Sequence, residues 1–223
     1  MVEYAIEAGP AFSVLRVRLR RGESLTVESG AYMMSKGRVE VSTSAGGLLK
    51  GLLRRVAGGE PVFLNRITAV DDAEVWVAPP VAGDIVAVDL SGGSLYVQDS
   101  SYLAHVGDID VGVAWRGVSG LIAEGELLWV KVSGTGTVFL NSYGAIIEVE
   151  LGPGEEATID NSHFVALEGS VKWRIRKFGG WKTFFLGGEG LVVDVEGPGR
   201  VWLQTRNLPA LAGVLSKFLP TKR

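Results

Sequence analysis

The chain has 223 residues, 47% hydrophobic and 21% charged, with a net charge of −3 and a pI near 5.5. That is ample for one large β domain or two ordinary ones, and it gives no global pull toward nucleic acid. Cysteine is absent, which excludes disulfides, thiolate metal sites and cysteine nucleophiles.

No run approaches the ~18 apolar residues that span a bilayer, and the N-terminus shows no basic region followed by an apolar core. A cytoplasmic protein is the default expectation. Glycine is abundant, at 31 residues, and falls between short apolar runs, as turns and bulges do. Asn, Gln, Cys and Met are scarce, which points weakly to a thermophilic source.

In chain order, the first clear element runs to Arg20. Leu15, Val17 and Leu19 alternate with Arg16, Arg18 and Arg20, a half-buried strand with a basic outer face. That face reads either as a solvated edge or as a surface for anions or a partner. Next comes Val27 to Val39, a block that returns as Val97 to Ile109 and as Ile159 to Val171, without gaps. Tyr32, Tyr102 and Phe164 occupy one shared position; Gly37, Gly107 and Gly169 occupy another. Downstream marks recur in the same order. They are Gly59-Glu60, Gly125-Glu126 and Gly188-Glu189, then Val75-Trp76-Val77, Val138-Phe139-Leu140 and Val201-Trp202-Leu203. The copies begin 70 and then 62 residues apart, the signature of an internally repeated architecture.

Copy one carries an insert from Gly46 to Gly59. Leu48, Leu49, Leu52, Leu53 and Val56 fall on one side of a helical wheel, and Lys50, Arg54 and Arg55 on the other. It reads as a short cap on an open end of the β core, or as a segment touching anionic lipid or a partner. Pro79-Pro80 marks a turn, and Gly134-Thr135-Gly136 reads as a hairpin turn inside copy two. Past Leu208, Leu211, Val214, Leu215, Phe218 and Leu219 recur at helical intervals behind Pro209. This predicts a short helix that docks on the core or on a neighbouring subunit.

The expected fold is all-β: three repeats at about 22–90, 91–151 and 152–208 in one domain spanning 1–208, with a helical tail at 209–223. Repeats of this size can share an interior as a pseudo-threefold β-sandwich or prism-like body.

Chemistry is sparse. His105 and His163 occupy different places in their copies, and no H-x-H or H-x-x-x-H occurs, so no metal centre and no cofactor are expected. The Gly-x-Gly pairs lack the lysine and helix of a phosphate loop, and no nucleophile elbow is present. Glu60, Glu126 and Glu189 share one place in each copy. They read either as structural turn acids or as a ring of carboxylates about the pseudo-axis.

The strings ESGAYMM, GGLLKGLLRRVAGGEPVFLN, SYLAHVGDI and GEGLVVDVEGPGRVWLQTRN together resemble the altered-inheritance-of-mitochondria family, number twenty-four, over roughly Ala5 to Asn207. The resemblance implies a fold similar to the tryptophan RNA-binding attenuation protein, built as a duplicated, threefold-like β body. Eukaryotic relatives are associated with mitochondrial inner-membrane organisation; prokaryotic ones have no established activity and no defined catalytic residues. The expectation is a non-enzymatic, self-associating scaffold, a homo-oligomer that contacts an anionic membrane surface through the insert. The alternative is a module holding a small ligand, or less readily RNA, between repeats; the acidic pI argues against nucleic acid.

Overall fold

The computed structural model describes residues 2–45, 63–116, 128–178 and 190–219. Strands β1 (Glu3–Glu7), β2 (Val14–Leu19), β3 (Ser24–Glu28), β4 (Tyr32–Lys36), β5 (Val39–Ala45), β6 (Phe63–Ala69) and β7 (Ala73–Val77) make up the first third. The middle third has three long strands, β8 (Ile85–Gln98), β9 (Tyr102–Arg116) and β10 (Leu128–Asn141). Then follow β11 (Ile146–Leu151), β12 (Glu156–Asp160), β13 (Phe164–Glu168), β14 (Lys172–Lys177), β15 (Leu191–Glu196), β16 (Gly199–Gln204) and, among the described residues, one helix, α1 (Leu208–Ser216).

All pairings between these strands are antiparallel. β7 is flanked by β2 and β4, and β6 by β3 and β5. In the last third β16 is flanked by β11 and β13, and β15 by β12 and β14. The long strands do both jobs at once. One half of β10 pairs with the first halves of β8 and β9, and its other half with their second halves. Two further pairings join the thirds. β3 meets β9 with Val27 opposite Ala104, and β8 meets β13 with Val97 opposite Ala166.

The core follows from the period-two pattern. Leu15, Val17 and Leu19 are buried while Arg16 and Arg18 face outward, where they pair with Glu7 at 2.7 Å and Glu3 at 2.8 Å. Such exposed pairs contribute little, about 0–1 kcal/mol each, so this face is a solvated charge ladder. Three hydrophobic clusters form, and they interlock. The first includes Leu103, Ala104 and Val106 from β9; the second includes Val165 and Ala166 from β13. The third is centred on Trp129, which stacks on Phe164 at 4.0 Å between ring centroids and lies 4.8 Å from Trp173.

Two expectations are corrected. Gly134-Thr135-Gly136 is no hairpin turn: β10 runs straight through it, with a register shift against β8 between Ser133 and Thr135. The glycines are needed because backbones meet there. Gly136 lies opposite Gly107, and a Cβ on Gly107 would come within 2.6 Å of the Thr135 carbonyl oxygen. Gly107 also has φ of +100°, and Gly37 has +99° with a Cβ position 2.7 Å from the Asp72 carbonyl oxygen. The second correction concerns the tail. α1 forms where expected, with Pro209 in its first turn and Asn207 Oδ1 accepting from the Ala210 N–H at 2.7 Å. None of its residues is buried, so it does not dock on the core of its own chain.

Replacing Gly107 by Ala therefore costs roughly 2 kcal/mol or more. Gly112 on the same strand, where a Cβ meets nothing within 4 Å, tolerates Ala within about 0.5 kcal/mol. Urea denaturation of both variants checks this, and equal losses would contradict it.

Candidate functional site

The insert residues Leu48, Leu49, Lys50, Leu52, Leu53, Arg54, Arg55 and Val56 lie outside the described residues, as do Glu60, Glu126 and Glu189. The structure brings together a different group, at the junction of β3 with β9.

There Glu28 ends β3, and Asp99 opens the single 3-10 turn (Asp99–Ser101) between β8 and β9. Tyr102 follows, and His105 sits three residues on, opposite Thr26. Tyr102 and His105 are buried, and their Oη and Nδ1 atoms are 2.6 Å apart. Burial, and then the Arg66 charge, push the His105 imidazole down to about 4. Burial, and then Glu28, hold the Tyr102 phenol far above its ordinary range. Both groups are therefore neutral. One of the two neutral groups donates to the other across this contact, and the His105 tautomer sets the direction. Beside it lies a polar cavity of about 280 Å³, lined by Ser24, Thr26, Arg66, His105, Gly107 and Asp108 among others.

The acids at this junction are also perturbed. Burial, and then the neighbouring Asp99 charge, raise the Glu28 carboxyl to about 7. Burial raises Asp99 too, against the opposing bond from the Ser100 N–H at 2.8 Å. This group can hold a proton near neutrality and can bind a small polar ligand through Arg66 and the hydroxyls. No serine is hydrogen-bonded to either histidine, and no three-ligand metal cluster exists among the described residues.

The corresponding junction of β8 with β13 has amides in place of the acids. Gln98 stands where Glu28 does and Asn161 where Asp99 does, and an oxygen of each is buried without a hydrogen bond. Asn141 and Gln204 brace the two turns, donating to the Ser100 carbonyl at 3.1 Å and the Ser162 carbonyl at 2.8 Å. His163 is structural. Asn207 Oδ1 caps α1, so its amide nitrogen faces His163 Nε2 at 3.0 Å, and Nδ1–H donates to the Gln204 carbonyl at 2.7 Å. Glu28 and Asp99 are acids whose burial is not visible in the sequence. The visible signal for Glu28 is an acid beside the recurring β-branched Val27.

The perturbed groups oppose each other in pH dependence. From 4.5 to about 7 the folded chain keeps a Glu28 proton that the unfolded chain has lost, so stability falls as pH rises; Asp99 acts in the same sense. From about 4 to 6.5 the unfolded chain carries a His105 proton that the fold excludes, so stability rises with pH. Glu28→Gln leaves stability climbing across the shared window, and His105→Gln leaves it falling toward neutrality. Urea titrations at steps of pH check both. Profiles parallel to that of the unaltered chain would contradict the assignment.

The described helix is not long and apolar enough to cross a membrane. An uncharacterised protein of Streptococcus pyogenes serotype M6 is 26% identical over 229 residues, covering 99% of this chain and 92% of that one. A crystal structure of a Streptococcus pyogenes protein aligns with a TM-score of 0.81 and 26% identity, over 98% of this chain and all of the other. The family described as mitochondrial biogenesis AIM24 matches residues 4–206. With nine-tenths of its length matched in this way, the chain belongs to the AIM24 family.

Proposed function

We propose that the chain is a non-enzymatic, self-associating β scaffold. Its body is read as three repeats in succession, similar to the fold of the tryptophan RNA-binding attenuation protein, with the expected threefold left open between the last third and the first. The common scheme of strand pairing in each third supports that reading.

One observation carries the function. On β4, Tyr32, Met33 and Met34 are 44%, 56% and 42% exposed. Their counterparts Tyr102, Leu103 and Ala104 on β9 are at most 1% exposed, and Phe164, Val165 and Ala166 on β13 are fully buried. The residue types match; the surroundings differ. Among the described residues β4 ends its sheet, and a strand edge carrying aromatic and thioether side chains is a liability for a lone molecule. Burying each methionine stabilises by roughly 1.5–3 kcal/mol. α1 adds exposed Leu215 and Phe218 just beyond its end. The insert Leu48 to Val56 gives the scaffold a second, membrane-facing role, since it pairs a leucine-rich side with Lys50, Arg54 and Arg55.

A small-ligand role between thirds is the second reading, and the polar cavity around Arg66 and His105 favours it. A saturable thermal shift with small anions, abolished by Arg66→Ala, is its expected mark.

Light scattering over a dilution series tests the scaffold. The unaltered chain is expected to associate, and the double change Met33→Glu, Met34→Glu to weaken association at least tenfold. Anionic vesicles should bind the intact chain but not one lacking Leu48 to Val56. A monomer at every concentration would contradict self-association.

A further inference from the structure

Pairing between thirds follows one rule. The strand ending just before the turn, β3 or β8, pairs antiparallel with the strand that follows the next turn, β9 or β13. Both junctions use one register: Val27 faces Ala104, and Val97 faces Ala166. Among the described residues the rule leaves two strands without a partner on one edge. β4 ends its sheet beyond β7, and β12 ends its sheet beyond β15. β4 is the first third's counterpart of β9 and β13; β12 is the last third's counterpart of β3 and β8. One edge is therefore the complement of the other, at opposite ends of the chain.

We infer that β4 of one copy adds to β12 of a second copy, head to tail, in the register already used twice within the chain. This rests on the self-association reading and deepens it, by naming the partner and the surface. The shared register sets Met34 against Ile159, Ser35 against Thr158 and Lys36 against Ala157. Chemistry agrees: Met33 and Met34 gain the apolar surroundings that bury Leu103 and Val165. The charges agree as well, since β12 carries Glu156 and Asp160 while β4 carries Lys36. A β4-to-β4 contact does not fit, because neither junction in the chain pairs like with like. The contact is heterologous, so copies close into a ring or extend as a filament.

The absence of cysteine makes the register directly readable. Two full-length single variants, Ser35→Cys and Thr158→Cys, are mixed and oxidised mildly. Directly opposed antiparallel positions bring Cβ atoms within reach of a disulfide. The expected product is a covalent dimer containing one chain of each variant, in at least tenfold excess over either homodimer. The chain carrying both cysteines should give a ladder of higher multimers. Three results would overturn the inference: an oligomer by light scattering with no mixed dimer, which leaves self-association standing but moves the interface; a disulfide within one monomer, which closes the chain on itself; and a chain monomeric at all concentrations, which removes the scaffold reading as well.

Discussion

Two of the three hydrophobic cores among the described residues are completed by a strand that belongs to the next third. β9 places Leu103, Ala104 and Val106 into the first cluster, and β13 places Val165 and Ala166 into the second. Because the donated side chains are buried on both sides of the junction, no third is a self-sufficient packing unit. Among the described residues there are two internal junctions for three such thirds. Among the described residues the first third adds no strand to another third by this rule, and the last third receives none. The exposure of β4 is therefore a consequence of how the cores are built, and no local oddity of sequence is needed to explain it.

The same junctions carry the buried polar groups. Where β3 meets β9, two carboxyls, a phenol and an imidazole share a poorly solvated corner, and each is held in its neutral form or shifted toward it. Where β8 meets β13, amides take the acids' places. Burying a charge at a junction costs far more than burying an amide, so the first junction is the softer of the two with respect to pH. His163 ties the last turn to the cap of α1 through Asn207, which fixes where the helix begins while its apolar side chains stay exposed.

Much of the architecture was legible in the sequence. The all-β character was, because period-two burial acts locally: Leu15, Val17 and Leu19 are buried where their alternation with arginine puts them. The roles that depend on which third neighbours which were not legible. Met33 and Leu103 are interchangeable in pattern, yet one is exposed and the other buried, since only the topology decides whether a neighbour exists. Gly134 and Gly136 looked like a turn because glycine serves turns and strand crossings alike. The helix was legible, but its docking was not, because an apolar stripe says nothing of what covers it. Glu28 and Asp99 escaped notice because sequence shows an acid without showing its solvation.

The central claim is that β4 and β12 are edges filled by another copy of the chain. Hydrogen exchange of their backbone amides, followed over a range of protein concentrations, tests it most directly. Pairing protects amides that an open edge leaves to solvent. The account predicts that amides of Tyr32–Lys36 and Glu156–Asp160 slow together as concentration rises, while those of the charged edge strand Lys172–Lys177 do not change. Exchange at β4 and β12 that is fast and independent of concentration would contradict it.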